Sequence, residues 1–406
     1  MLAALENGVK GGRWYSLMDK VHAPTTLRLA WERVRANHGA AGVDRMRIEH
    51  FEAQADRYLA ELHDDLAAGR YRPDAVRRVY IPKGDGKRRP LGIPVIKDRI
   101  VQAALKLVME PIFEKDFLPV NYGFRPQRGC KDALRQVDEF LREGYTTVVD
   151  ADLASYYDSI PHQPLLERVA ERISDGRVLN LIGRFLEQAV MDGLECWTPT
   201  AGTPQGAVLS PLLANLYLHP LDRMITERGW KMVRYADDFV ILCRDRDEAQ
   251  AALEAVRAWT QANGLTLHPE KTHIGDCREP GQGFEFLGYR FEAGRRWVRK
   301  KSRKALREAV RAKTRRSRSG SMAQIVEELN LTLRGWYEYF KHAYRTEFPD
   351  VDKFVRRRLR ALLLRRHHKQ GWGLSPLTHR RWPNAYFAKL GLFTLTEAHA
   401  VACRSR

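Results

Sequence analysis

Residues 234–242 read RYADDFVIL: two adjacent aspartates, Asp237 and Asp238, lie between two short apolar runs, MVRYA and FVILC. Runs of this length and composition predict strands, so the pair falls where the chain reverses. Successive strand side chains point to opposite faces, and neighbouring carboxylates therefore reach one ligand only at a turn. Taken alone, an Asp-Asp turn is also an ordinary surface turn, because Asp favours such positions. A second acidic strand end alters that balance. In VVDADLASYYDSI, Asp152 closes the run TTVVDADL, which reads as a central strand. If this strand pairs with the hairpin, three carboxylates converge. Like charges that close disfavour ionisation and burden the fold unless a cation intervenes.

An all-oxygen, carboxylate-rich set suits Mg²⁺, and a pair of such ions serves an attacking 3′-oxygen and a leaving pyrophosphate. Chemistry of that kind also needs cations for a triphosphate. Lys83 and Arg89 flank the turn GDG of a hairpin formed by RRVYIPK and KRRPLGIP, where strand ends hold them over a phosphate chain or leave them as a solvated tip. In AGTPQGAVLSPLLANLYL, Gly202, Pro204 and Gly206 bend the backbone and expose Gln205 just ahead of a helix, with Ser210 expected as its N-cap and Pro211 as its first residue. Apolar residues at helical spacing from Val95 to Glu114 predict a core helix.

The 406-residue chain is long enough for two to four compact units. No apolar run approaches a membrane span, and Glu6 and Lys10 interrupt the N-terminus where a leader would be apolar. The expectation is a cytoplasmic protein with no membrane partner. The five cysteines are scattered, without a CxxC pair, which argues against a disulfide framework and a zinc ribbon. His268, His273 and Cys277 lack a fourth ligand at any usual metal spacing.

The net charge of +19 is unevenly placed: residues 291–406 hold 29 Lys plus Arg against 9 Asp plus Glu, and the preceding residues 40 against 41. That basic part also changes to long helical patterns. One apolar face carries Ile325, Leu329, Leu333, Trp336 and Phe340. Another carries Val351, Phe354, Val355, Leu359, Leu362 and Leu363, with Arg356, Arg357, Arg358, Arg360, Arg365 and Arg366 expected largely on the side open to a ligand. Basic helices interleaved with Trp and Tyr suit a phosphate backbone and stacked bases. The tail from His367 is too small for its own core and is expected to dock on these helices.

Seven stretches in order, IPKGDGKRRPLGIPVIKDRIVQ, YGFRPQRGC, VVDADLASYYDSIPH, GTPQGAVLSPLLANLYL, RYADDFVIL, LTLHPEKT and FEFLGYRF, resemble the reverse transcriptases, and most closely the group II intron-encoded proteins. The resemblance runs from about Trp31 to the C-terminus. It implies an α/β (α+β) right-hand polymerase: fingers and palm with antiparallel sheet, an α-helical thumb, and a small C-terminal DNA-binding segment. The corresponding division is 1–130 for an N-terminal extension and fingers, 131–295 for the palm, 296–368 for the thumb or maturase domain, and 369–406 for the DNA-binding segment.

By the same resemblance Asp152, Asp237 and Asp238 hold two Mg²⁺ ions, for which Mn²⁺ can substitute. Lys83, Arg89, Gln205, Gly206 and Lys271 meet the incoming dNTP, and Tyr157 crowds a ribose 2′-hydroxyl. Phe286, Leu287, Gly288 and Tyr289, within the segment running to Phe291, grip the primer. The six arginines of 356–366 bind RNA. The implied partners are group II intron RNA in a ribonucleoprotein, an RNA template, and a DNA primer or target. The implied activity is RNA-directed DNA synthesis, with maturase assistance to splicing and with retrohoming. The HNH nuclease common in the family is not seen in the sequence, so a second target strand is expected to be cut by another agent. Ala207 replaces a second Gly, and Tyr156-Tyr157 the commoner Phe-Phe; neither change touches a metal ligand. A free-standing enzyme of defence or repair, or a splicing-only RNA-binding protein, are the alternative readings.

Overall fold

The computed structural model describes residues 12–83 and 87–404, the side chains of Lys83, Lys87 and Arg404 excepted. The chain divides into two compact units, Met1–Ile274 and Gly275–Arg406.

The first unit is built round the helix Ile96–Glu114, buried along 14 of its 19 residues. Such all-round burial is expected of a helix that packs on several sides. Among the described residues, two sheets stand in this unit. In one, β1 (Val76–Lys83) and β2 (Lys87–Ile93) form the expected hairpin, and β1 is extended in parallel by β4 (Val190–Asp192), itself paired antiparallel with β5 (Glu195–Trp197). The tip of the first hairpin, and with it the Lys83 side chain, lies outside the described residues.

The second sheet takes the order β6-β7-β3-β8, from β3 (Thr147–Asp152), β6 (Lys231–Tyr235), β7 (Asp238–Cys243) and β8 (His273–Asp276). The expected pairing of the Asp152 strand with the Asp-Asp hairpin is present, antiparallel and in continuous register from Thr147↔Cys243 to Asp152↔Asp238. Alternation decides which side chains meet which layer. Val149, Ala151, Phe239 and Ile241 face a core shared with the helices Ser210–Glu227 and Arg246–Ala262. The opposite face, carrying Val148, Val240 and Leu242, is buried under Cys130–Arg142 except at its acidic end. Ser210 is not the cap of its helix, as the sequence suggested, but its first residue; its Oγ donates to the Pro204 carbonyl instead, at 2.9 Å.

The second unit opens with a small antiparallel sheet, β9 (Phe284–Phe286), β10 (Tyr289–Glu292) and β11 (Arg295–Val298). Three helices follow, Lys300–Lys313, Met322–Phe340 and Glu347–Arg366, with Leu306, Val310, Leu329, Leu333, Val355 and Leu359 in their common core. The C-terminal segment docks on them as expected. The carboxylate of Asp352 caps the last helix, Leu395–Arg404, by accepting from the amides of Leu395 and Thr396, both at 3.0 Å. Asn330 binds the Gly391 carbonyl and the Phe393 amide.

Candidate active site

β6 and β7 are joined by two residues, because Tyr235 pairs with Asp238. The first of them, Ala236, has φ of 59°, a left-handed conformation that the tightest hairpins reserve for Gly. What holds an alanine there lies beneath the turn. Arg234, fully buried, donates from Nη1 to the Ala236 carbonyl at 2.9 Å and to Asn215 Oδ1 at 3.0 Å. Its Nε donates to Asp222 Oδ1 at 2.6 Å, and its Nη2 pairs with the other oxygen of that equally buried carboxylate. Asn215 in turn donates to the Gly123 carbonyl at 2.6 Å, and the Val120 carbonyl and the Tyr122 amide bind the backbone of Arg234 itself. Every arm of this network is satisfied, which is the condition for keeping an ion pair in a dry core.

The turn so held presents Asp237 beside the pair Asp152 and Asp238. The latter two are direct register partners and so share one face of the sheet. Burial, and after it the Asp152 charge, holds the Asp237 carboxyl above the ordinary carboxylate range, against the opposing pull of its own backbone amide, Arg89 and Arg234. Lys271 supplies the nearest positive charge. The segment 266–268 runs back along the end of β3, with the Ala154 amide on the Thr266 carbonyl at 2.8 Å and the His268 amide on that of Asp152 at 2.7 Å. A turn after His268 then brings the Lys271 ammonium onto Asp152 Oδ2. Among the described residues, no three His, Cys, Asp or Glu side chains are already drawn together as a metal-ligand set. The donor chemistry fits a hard divalent cation nonetheless: three carboxylates at one sheet end, one of them reluctant to ionise, with a lysine as their internal counter-ion.

Of the other expected residues of the first unit, Arg89, Gln205, Gly206 and Tyr157 gather around the same end. The Arg89 Nε donates to Gln205 Oε1 at 2.8 Å, and the Gln205 carbonyl accepts from the Gly92 amide at 2.7 Å, tying the β1–β2 hairpin to the Pro-Gln-Gly loop. Gly206 makes this closure sterically feasible: its φ is 105°, and a Cβ there would lie 2.5 Å from the Gly92 carbonyl oxygen. On the other side, the amides of Gly202 and Thr203 bind the carbonyls of Ile160 and Tyr157, at 2.7 and 2.6 Å. Tyr157 is buried, and its hydroxyl is pushed up to about 12 by burial first and the Asp237 charge next.

Tyr157 and Gln205 line a cavity of about 210 Å³ together with three residues the sequence reading did not single out, Arg78, Asp158 and Trp197. The Arg78 guanidinium lies 4.9 Å from the Trp197 ring centre, and burial raises the Asp158 carboxyl against the pull of Arg78 and Arg89. The stretch VMDGLECW, with its Asp-Gly turn between apolar ends, was the available sign of the β4–β5 hairpin that carries Trp197.

Phe286, Leu287, Gly288 and Tyr289 belong to the second unit, where they form the β9–β10 turn. Phe286 and Tyr289 are core residues, and Leu287 and Gly288, both with positive φ, make the tip. The Leu287 carbonyl accepts from the Tyr339 hydroxyl at 2.8 Å.

The arginine face of Glu347–Arg366 needs correction. Arg360 is 3% exposed rather than standing free on an open face: its guanidinium is used internally, donating to the Trp382 carbonyl at 2.9 Å and to Asn384 Oδ1 at 2.8 Å. Helical spacing brings position 360 onto the side where the C-terminal segment packs. Arg358 binds Thr314 Oγ1 and the Thr314 carbonyl, closing the end of Lys300–Lys313, and Arg366 binds the Gly320 carbonyl. Arg365 is exposed. Arg356 and Arg357 line an open basin of about 540 Å³ with Arg307, Arg311 and Lys353.

Comparison with known proteins accords with this geometry. Residues 81–291 match the family described as Reverse transcriptase (RNA-dependent DNA polymerase), and residues 303–382 match the Group II intron, maturase-specific domain. The chain is 36% identical over 328 residues to Protein YkfC of Escherichia coli K12, covering 71% of this chain and 84% of that protein. It is 34% identical over 212 residues to the Group II intron-encoded protein LtrA of Lactococcus lactis, covering 52% of this chain and 35% of LtrA. Over 217 residues it is 26% identical to Nuclear intron maturase 4, mitochondrial, of Arabidopsis thaliana, covering 52% and 25%. Among the described residues, no helix is long and apolar enough to cross a membrane. The chain belongs to the reverse transcriptase family, RNA-dependent DNA polymerases, in the form that carries a group II intron maturase-specific domain.

Proposed function

We propose that Asp152, Asp237 and Asp238 are the metal-holding carboxylates of a polymerase that extends a DNA primer on an RNA template. The observation that carries this is the register pairing of Asp152 with Asp238, beside a turn that holds Asp237 in the same charged cluster. The chemistry that Mg²⁺ supplies in such a site, with Mn²⁺ able to substitute, is neutralisation of the charge that develops on the attacking and leaving oxygens. The chain's own residues do the rest. Lys271 neutralises Asp152 in the protein alone and is assigned to the triphosphate from the sequence. Arg89, with Gln205 orienting it, faces the same ligand, and Lys83 is assigned to it from the sequence. Tyr157, buried in the cavity lining near Asp237, is the residue that excludes a ribose 2′-hydroxyl.

The maturase-specific match and the basic basin of the second unit support intron RNA as the partner, held as a ribonucleoprotein; the β9–β10 tip is assigned to the primer from the sequence. The test is purified protein with an RNA template, a DNA primer, dNTPs and Mg²⁺, together with sequencing of the RNA that co-purifies. Extension that chelation stops, and a structured intron in the RNA fraction, are expected. Extension that persists in EDTA contradicts the metal reading, and an RNA fraction without an intron contradicts the partner. In the same assay, Tyr157→Ala is expected to raise rNTP relative to dNTP incorporation; an unchanged ratio removes Tyr157 from sugar selection.

A further inference from the structure

We propose that residues 371–377 form a base-contacting wedge, in which Trp372 and Leu374 insert against nucleobases while the adjoining guanidinium basin holds the phosphates of the same strand. This rests on the reading that the second unit binds nucleic acid.

Three large apolar side chains stand in solvent within six positions of one another: Trp372 at 68% exposure, Leu374 at 64% and Leu377 at 75%. They are not a frayed end that failed to find a core. Gly373, between the first two, is buried against Glu347–Arg366 so closely that a Cβ would lie 2.8 Å from the Arg357 carbonyl oxygen and 3.0 Å from the Ala361 nitrogen. The segment is fixed on both sides of that contact. Upstream, the Arg316 Nη2 donates to the Gly371 carbonyl at 2.7 Å; downstream, the Arg360 guanidinium holds the Trp382 carbonyl and Asn384. Backbone pinned in this way turns Trp372 and Leu374 outwards without the ordering loss that a mobile loop incurs on binding.

The surroundings identify the ligand class. The Arg316 guanidinium lies 4.6 Å from the Trp372 ring centre, covering part of the indole with positive charge while most of the residue remains exposed. Leu374 lines the 540 Å³ basin together with Arg307, Arg311, Lys353, Arg356 and Arg357, and among the described residues no carboxylate lines it. Three of those guanidiniums, Arg307, Arg311 and Arg357, crowd the Phe354 ring at 5.4 to 5.7 Å. Mutual repulsion among them is relieved by a polyanion. A ligand that offers dense negative charge next to flat apolar faces is a nucleic-acid strand, whose bases stack on aromatic side chains and whose steps open to apolar wedges.

The experiment uses the full chain and oligonucleotides carrying 2-aminopurine at successive positions: a single-stranded RNA, an RNA stem-loop and a DNA duplex. Wild-type protein is expected to change the emission at one or two positions of at least one of them by twofold or more. The double variant Trp372→Ala with Leu374→Ser is expected to abolish that change while retaining the salt dependence of binding. Arg356→Gln with Arg357→Gln is expected to flatten the slope of log K against log salt by about 1.5, for two phosphate contacts. Emission changes that persist in the Trp372/Leu374 variant, with binding and salt slope intact, overturn the wedge and leave the nucleic-acid reading standing. Absence of salt-dependent binding to all three oligonucleotides overturns both. Binding to phosphatidylserine vesicles that depends on Trp372, with oligonucleotide emission unaffected, assigns the patch to a lipid surface and overturns the wedge.

Discussion

Asp152 and Asp238 stand directly opposite one another in the register of β3 and β7, on the same face of the sheet. Side chains so paired lie near enough for like charges to destabilise the strands, and Asp237 adds a third carboxylate that its surroundings already resist ionising. The arrangement burdens the protein alone, and the proposed cation would relieve that burden.

One consequence is a stability gain from damaging the site. Asp237→Asn removes a buried charge beside Asp152 and is expected to stabilise the metal-free protein at pH 7 by about 0.5–1 kcal/mol in urea unfolding, the scale of one such repulsive pair. The sign follows from the raised pKa: the folded state holds the Asp237 proton longer than the unfolded chain, so ionisation penalises the fold, and the gain fades as pH falls into the ordinary carboxylate range. Added Mg²⁺ is expected to stabilise wild type and not the variant. A variant less stable than wild type in EDTA contradicts the repulsion.

The buried ion pair beneath the turn behaves in the opposite sense. Asp222→Asn leaves the Arg234 guanidinium buried without its counter-charge, and a loss of about 3–5 kcal/mol is expected. Measured by urea unfolding, a loss under about 1 kcal/mol would mean that water or another acid reaches Arg234.

A second buried carboxylate gives a pH signature. Asp98 accepts from the Asp74 amide at 3.1 Å, from Gln188 Nε2 at 2.6 Å and from the Tyr71 hydroxyl, and burial pushes it up to about 7. Its proton is retained in the folded state while the unfolded chain releases it, so its contribution is complete below about pH 4 and is lost as pH rises towards 7. Asp98→Asn keeps an acceptor for Asp74 and Gln188 and a donor for Tyr71. It is expected to flatten the fall of stability between about pH 4 and pH 7, followed by thermal unfolding; an unaltered limb assigns that slope to other groups.

Gly206 offers a test of the loop that carries Gln205. With φ of 105° and the Gly92 carbonyl where a Cβ would go, Gly206→Ala must lift the loop from the hairpin. A rise of tenfold or more in the KM for dNTP is expected, with stability lowered by only about 1–2 kcal/mol. An unchanged KM would separate Gln205 and Arg89 from nucleotide binding.

The strands of the acidic sheet were legible because their apolar alternation and the Asp-Asp reversal are local signals, and register then brought Asp152 to Asp238. The turn's support was not legible. Asp222 reads as one more charge in HPLDRMI, and only the approach of Val120–Gly123 backbone and of Arg234 from separate elements makes it a buried partner. Arg360 failed as a surface residue for a related reason: helical periodicity fixes its direction but not what packs there, and the covering segment arrives from 22 residues downstream. Lys271 was placed near the site by resemblance, while its pairing with Asp152 depends on a turn after His268 that no periodic pattern announces.

The most direct measurement is single-turnover extension of a DNA primer on an RNA template by Asp237→Ala against wild type, with circular dichroism and RNA affinity verifying that the variant is folded and loaded. The carboxylate assignment predicts extension by wild type and a loss of at least about a thousandfold in the variant with RNA affinity unchanged. Extension by the variant at the wild-type rate would contradict it.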